Sequence, residues 1–144
     1  FIDTYQVSLA RSFGADCILI ILSAVDVILA KDLYQAANDL NMSSIIEVHS
    51  KIEAEKALSF GKSLIGINNR DLKTLETKLD TTVKLYEILK DHPVPLISES
   101  GFHLPKNIKY IFERTKICNY LIGESLLSSD DIGSKLREIN QITL

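Results

Sequence analysis

The sequence predicts an α/β fold built on a parallel sheet, and three observations lead there. Short apolar runs recur along the 144 residues, at 17–22 (CILIIL), 43–48 (SSIIEV), 63–67 (SLIGI), 94–98 (VPLIS) and 119–122 (NYLI). They lack polar–apolar alternation, as expected of strands covered on both faces. Stretches with helical spacing separate them at roughly 20–30 residues per unit, and no two runs are joined as a hairpin. Finally, polar residues collect where the runs end: Glu47 and His49, Asn68 to Asp71, Ser98 to Gly101, Gly123 to Ser125. Ligands of parallel α/β proteins bind outside the carboxyl ends of the strands. One site made from several strand ends is therefore expected, with 64–74 (LIGINNRDLKT) at its centre.

Each element has a local reason. Helical spacing opens the chain over 4–13, with Val7, Ala10 and Phe13 on one face and Gly14 as the stop. After the strand at 17–22, Asp26 is placed to cap a helix reaching Leu40, whose buried stripe is Leu29, Leu33, Ala36, Ala37 and Leu40. Strand 43–48 precedes Ser50 and Glu53, a capping-box pair. That helix turns Ala54, Ala57 and Leu58 inward and ends at Gly61. Beyond strand 63–67 a polar loop runs to Leu79. Asp80 is positioned to cap a helix to Lys90 with Val83, Tyr86 and Leu89 inward. Prolines 93 and 95 flank Val94, so the strand over 94–98 starts late. Pro105 suits the first turn of the next helix, which buries Ile108, Ile111 and Phe112. After strand 119–122 come one helical turn to 127 and a last helix begun by Asp130 or Asp131, with Ile132, Leu136 and Ile139 apolar. The expected inventory is about five parallel strands and six helices.

Composition narrows the function. The length suits one domain with a real core. Charged residues make up 24% with a formal charge of −3, the basic residues are scattered, and aromatics do not alternate with them. No nucleic-acid groove is expected. The longest apolar run, 17–22, is far short of the about 20 residues of a membrane span. Cys17 and Cys118 lie in strand-like runs and are expected to be reduced core residues, which fits a cytoplasmic location. No Cys/His grouping has zinc spacing, and no nucleophile elbow is present. The periodicity alone leaves two architectures open. One is an open doubly wound sheet; the other is five strands of a barrel whose earlier strands lie upstream of Phe1.

Taken together, FIDTYQVSLARSFGADCILIIL, SSIIEVHS, LIGINNRDLKTLETKLDTT, LISESGFHLP and YLIGESLLSSDDIGSKL resemble the indole-3-glycerol phosphate synthase family. GINNRDLKT, SESG and LIGESL in this order and at these separations are specific; any one alone is weak. The resemblance covers nearly the whole chain. It implies a (β/α)₈ TIM barrel of about 250 residues, of which 1–144 would be a single partial domain running from about the third helix to the eighth. It also implies the family reaction. 1-(2-carboxyphenylamino)-1-deoxyribulose 5-phosphate becomes indole-3-glycerol phosphate with loss of carbon dioxide and water, in tryptophan biosynthesis. No metal or organic cofactor is implied. The family's catalytic lysines, its general acid among them, would fall upstream of Phe1.

Residue chemistry and resemblance then assign roles. Glu47 ends an apolar strand, where a desolvated carboxylate suits proton transfer or an internal ion pair; the resemblance makes it the general base. Glu99 matches a second active-site glutamate and is expected to be held ionised by cations around it. Asn68 and Arg70 suit an acidic, hydroxylated substrate through amide and guanidinium donors, and Ser100 joins them. Asn69 is expected to be a loop residue and Asp71 a turn cap. Gly101, Gly123, Glu124 and Ser125 form the expected phosphate cradle: glycine admits close backbone approach, and free N–H groups attract the anion. Barrels place that cradle after strands seven and eight. The Glu124 side chain, a like charge, is expected to point away. His49, on the same side as Glu47, and His103, beside the cradle, are secondary candidates; His92 is expected to be exposed.

A chain without the general acid is expected to turn over little or not at all. Its open sheet edges would invite a complementing N-terminal fragment or self-association. The alternatives are an inactive phosphate-binding module and another phosphosugar enzyme of the same barrel superfamily.

Overall fold

Each of the five apolar runs forms a strand in the computed structural model, which describes residues 1–140. The strands are β1 (Cys17–Ile21), β2 (Ser43–Val48), β3 (Leu64–Asn68), β4 (Leu96–Glu99) and β5 (Asn119–Leu121). The last four positions of the expected 1–144 domain lie outside the described residues. The sheet order is β1-β2-β3-β4-β5, with every neighbouring pair parallel. A doubly wound sheet reverses its order at a switch point. This one never does, so successive crossovers wind the same way, as in a (β/α) barrel. Among the described residues β1 and β5 each pair on one side only.

The helices are α1 (Thr4–Ser12), α2 (Val27–Asp39), α3 (Lys51–Ala57), α4 (Asp80–Leu89), α5 (Pro105–Thr115), α6 (Glu124–Leu127) and α7 (Ile132–Asn140); a 3₁₀ turn, Leu58–Phe60, extends α3. The seventh α-helix, beyond the six expected, is the single turn α6. Asp26 caps α2, its carboxylate accepting the Ile28 and Leu29 N–H groups at 2.9 Å. Asp131 likewise accepts the Ser134 N–H at 2.9 Å and starts α7. Ser50 accepts the Glu53 N–H at 3.3 Å, while Glu53 reaches back to the His49 N–H, one residue before the cap.

The core lies between the helices and one face of the sheet. Ile18, Ile20, Ile46, Val48, Ile65 and Ile67 are buried there with Leu33, Ala37, Ala54, Ala57, Leu89 and Ile111. Alternate residues face the other way. Leu19, Ile21, Ile45 and Ile97 are half-buried on that second face, and it also carries Glu47, Gly66, Asn68 and Glu99.

Several expected core positions are corrected. Cys17 and Cys118 are not in disulfides, but both are exposed: Cys17 opens edge strand β1, and Cys118 immediately precedes edge strand β5. Phe13 is the exposed C-cap of α1, past the turn that buries Val7. Leu58 is exposed because the 3₁₀ turn rotates the face and buries Phe60 instead. Asp80 does not cap α4; Leu79 is the cap residue, and the Asp80 carboxylate receives the Tyr110 hydroxyl. The inward face of α4 is accordingly Thr82, Leu85 and Leu89, with Val83 and Tyr86 half-buried. In α7 only Ile139 is buried; Ile132 and Leu136 are exposed.

Candidate active site

The site grows from three adjacent strand ends. Glu47 lies opposite Gly66, and Asn68 lies opposite Glu99. All four residues share the face away from the helices. Asn68 Nδ2 donates to Glu47 Oε1 at 3.2 Å, and Asn68 Oδ1 accepts the Arg70 N–H at 2.9 Å. One amide therefore orients the Glu47 carboxylate and shapes the turn that launches Arg70. Both glutamates are buried, at 3% exposure each.

Gly66 makes their meeting possible. A Cβ built there would lie 2.0 Å from Glu99 Oε1 and 2.9 Å from its carboxyl carbon. The Glu99 side chain thus lies over β3, in the space that any other residue at 66 would fill. Burial and the facing Glu47 carboxylate push the Glu99 pKa up to about 8. Its Oε1 has no hydrogen-bond partner among the described residues. This corrects the expectation of an ionised Glu99 among cations: a carboxylate faces it, and Glu99 holds its proton at neutral pH. His49 lies alongside, with Nε2 3.3 Å from Glu47 Oε1 and Nδ1 3.6 Å from Glu53 Oε2.

A cavity of about 310 Å³ opens beside these strand ends, lined by Arg70, Ser100, Gly101, His103, Gly123 and Ser125 among others. Ser100 and Gly101 both have positive φ, 65° and 89°, and a Cβ on Gly101 would meet Thr77 Cγ2 at 2.6 Å. Two successive positive-φ residues make a sharp exit turn from β4 that brings the backbone to the cavity wall. At Gly123 a Cβ would meet nothing within 4 Å, so its space is open to the cavity rather than closed by the fold. Ser125 Oγ donates to the Phe102 carbonyl at 2.6 Å and joins the two loops. The Glu124 carboxylate pairs with the Arg70 guanidinium across the mouth. Arg70 also lines a second cavity of about 350 Å³ with His49, Glu53 and Asn68.

The chain matches the family model described as indole-3-glycerol phosphate synthase over residues 1–139. It belongs to that family. The indole-3-glycerol phosphate synthase of Carboxydothermus hydrogenoformans is 39% identical over 135 residues, 94% of this chain and 51% of the relative. That of Polaromonas naphthalenivorans is 39% identical over 138 residues, 96% of this chain and 52% of the relative. The chain spans about half the length of the curated relatives it matches. A solved thiamine phosphate pyrophosphorylase from Pyrococcus furiosus superposes with a TM-score of 0.69 at 17% identity, covering 94% of this chain and 62% of that one. At that identity the likeness speaks for the TIM-barrel fold alone.

Seen against the family, the structure brings Glu47, Asn68, Arg70 and Glu99 to one mouth, and Ser100, Gly101, Gly123, Glu124 and Ser125 to the cavity beside it. Asp71 caps its turn, accepting the Lys73 and Thr74 N–H groups. His103 lines the cavity. His92 is half-buried rather than exposed, because its Nε2 meets the Ser63 carbonyl at 2.8 Å. Asn69 is a loop residue, one position past β3, but it is 2% exposed and its carboxamide is bonded at both ends. Sequence reasoning missed both Asn69 and Gly66. A glycine inside an apolar strand is a signal of close approach that could have pointed to Gly66. Among the described residues no group of three or more His, Cys, Asp or Glu could hold a metal ion, and no helix is long and apolar enough to cross a membrane.

Proposed function

We propose that this chain carries the general-base and phosphate-gripping half of an indole-3-glycerol phosphate synthase site. The substrate would be 1-(2-carboxyphenylamino)-1-deoxyribulose 5-phosphate, and the reaction closes the indole ring with loss of carbon dioxide and water. The supporting observation is that two buried carboxyls face each other over Gly66, beside a cavity lined by Arg70, Ser100, Gly101, Gly123 and Ser125. Glu47, aligned by Asn68 and contacted by His49, is the base that removes a proton during dehydration. Glu99 enters the cycle protonated at neutral pH and orients the substrate or donates to it. Asn68 keeps a second Nδ2 hydrogen for a sugar hydroxyl. Arg70 exchanges Glu124 for the substrate carboxylate, and Ser100 helps to hold the sugar. Backbone N–H groups at Gly101, Gly123 and Glu124, with Ser125, take the phosphate. The pathway is tryptophan biosynthesis, and the compartment is the cytoplasm.

A second reading, phosphate binding without turnover, is favoured by one feature. Among the described residues no lysine lines the cavity beside Gly101 and Gly123, while Lys73 and Lys78 line the neighbouring one. The resemblance assigns the general acid to a lysine upstream of Phe1, and losing a general acid lowers rates about 10²–10⁴-fold. The test is a turnover assay on purified 1–144, alone and with a fragment supplying the earlier family strands. Little or no product alone and restored turnover with the fragment are expected. Turnover by 1–144 alone would overturn the inactivity, and no turnover with the fragment would overturn the synthase reading. Calorimetry with substrate analogue against inorganic phosphate separates the two readings, since equal weak affinity for both marks a simple anion site.

A further inference from the structure

We propose that Asn69 is a positioning residue: its carboxamide fixes the backbone at Glu99 and Ser100 and sets the Ser100–Gly101 turn for the anion. Its two Nδ2 hydrogens are shared among three acceptors, Ser98 Oγ at 3.1 Å, the Glu99 carbonyl at 3.0 Å and the Ser100 carbonyl at 3.2 Å. Its backbone N–H also donates to the Glu99 carbonyl, at 2.9 Å. Three consecutive residues of β4 and its exit loop are thus gripped by one side chain just past the end of β3.

The other end of the amide is equally occupied. Asn69 Oδ1 accepts the Thr82 N–H at 3.1 Å and the Thr82 hydroxyl at 2.9 Å. Thr82 Oγ1 and Ser98 Oγ are 2.6 Å apart. An amide oxygen cannot donate, so the Thr82 hydrogen goes to Asn69 and Ser98 must donate to Thr82. The result is a one-way ring, Asn69 Nδ2 to Ser98 Oγ to Thr82 Oγ1 to Asn69 Oδ1. All three residues are buried, and in such surroundings a fully satisfied ring is rigid while a broken one leaves costly orphans.

What the ring holds matters for the site. Ser100 has φ 65°, a conformation disfavoured for a side-chain-bearing residue. Its carbonyl and that of Glu99 are held by the same Nδ2, so the left-handed turn is fixed from inside. Asp, with an oxygen in place of Nδ2, would set a lone pair against two carbonyls. An amide is required where an exposed loop residue would tolerate exchange.

This inference rests on the proposed reading of Glu99 and the Ser100–Gly101 turn as substrate-holding groups. The test compares chain 1–144 with Asn69→Ala, the milder Asn69→Ser, and Leu33→Ala, a destabilised control in α2. Two readouts are taken at equal fraction folded: inorganic phosphate affinity by calorimetry, and the Glu99 carboxyl titration by carbon NMR. The Asn69 variants are expected to weaken phosphate about tenfold, as displaced site geometry does, and to shift the Glu99 midpoint; the control should move neither. Asn69 variants that lose stability like the control yet keep both readouts would overturn the proposal. If the unsubstituted chain binds no phosphate, the phosphate reading fails by itself, and the Glu99 titration still decides the role of Asn69. If Asn69→Ala does not fold, the Asn69→Ser variant carries the same comparison.

Discussion

The two faces of the sheet are made by the same five strands and obey different rules. On the helix side, Ile20, Ile46, Val48, Ile65 and Ile67 are fully buried, and each does one thing, filling space. On the other side, positions one residue away hold Glu47, Gly66, Asn68 and Glu99, while the apolar Leu19, Ile45 and Ile97 are only half-covered. A period of two therefore separates stability from chemistry within single strands. The first face gains from water exclusion. The second tolerates two facing carboxyls, an arrangement that works against the fold and suits a reactive site.

The largest expected effect sharpens the first half of that contrast. Ile67→Ala should destabilise the chain by about 2–5 kcal/mol, the range for deleting a buried isoleucine side chain, read as a loss in urea unfolding. A loss under about 1 kcal/mol would mean that this face collapses around the gap and is not the packed side.

Glu99 gives the next effect, with a definite sign. Its carboxyl moves from 4.5 to about 8 on folding. Between those values the folded chain holds a proton that the unfolded chain releases, so stability must fall as pH rises through this window. One proton corresponds to about 1.4 kcal/mol per pH unit. Below pH 4.5 both states are protonated and the contribution is complete; above pH 8 it is gone. Glu99→Gln removes the titration, so thermal unfolding followed from pH 5 to pH 8 should show a flatter profile. At pH 8 the variant should be more stable than the parent. A parent whose stability rises across that window would break the comparison, since the second face would then hold Glu99 as an ordinary ionised surface acid.

The helix-side face was legible in the sequence because burial on two sides leaves an apolar run that nothing else imitates. SSIIEV was read as a strand over 43–48, and β2 is Ser43–Val48. Asp26 and Pro105 were read correctly because capping and N-terminal proline depend on neighbours a few residues away. The inward side of α4 was misread for the same local reason. Thr82 faces inward because Asn69 and Ser98, distant in the chain, bond it, and only Tyr110 on α5 shows where the Asp80 carboxylate goes. The positions of Glu47, Asn68, Arg70 and Glu99 at strand ends were legible, as polar residues closing apolar runs. The charge state of Glu99 was not, because it depends on which group faces it across two strands. Asn69 was opaque too, since its partners lie 13 to 31 residues further along the chain. Nothing local distinguishes a buried, gripping loop asparagine from an exposed one.

The smallest expected effect probes the edge of the second face. Leu121 lies opposite Glu99 on β5, is 46% exposed and lines the cavity beside the strand ends. If that face is open in the isolated chain, Leu121→Ser removes little buried area and should change unfolding free energy by no more than about 0.5 kcal/mol, as surface substitutions do. A loss of 2 kcal/mol or more, with a concentration-dependent midpoint, would show instead that a second chain covers this face in solution. The asymmetry between the faces would then belong to the single chain and not to the assembly, and Glu47 and Glu99 would meet their counterparts inside an interface.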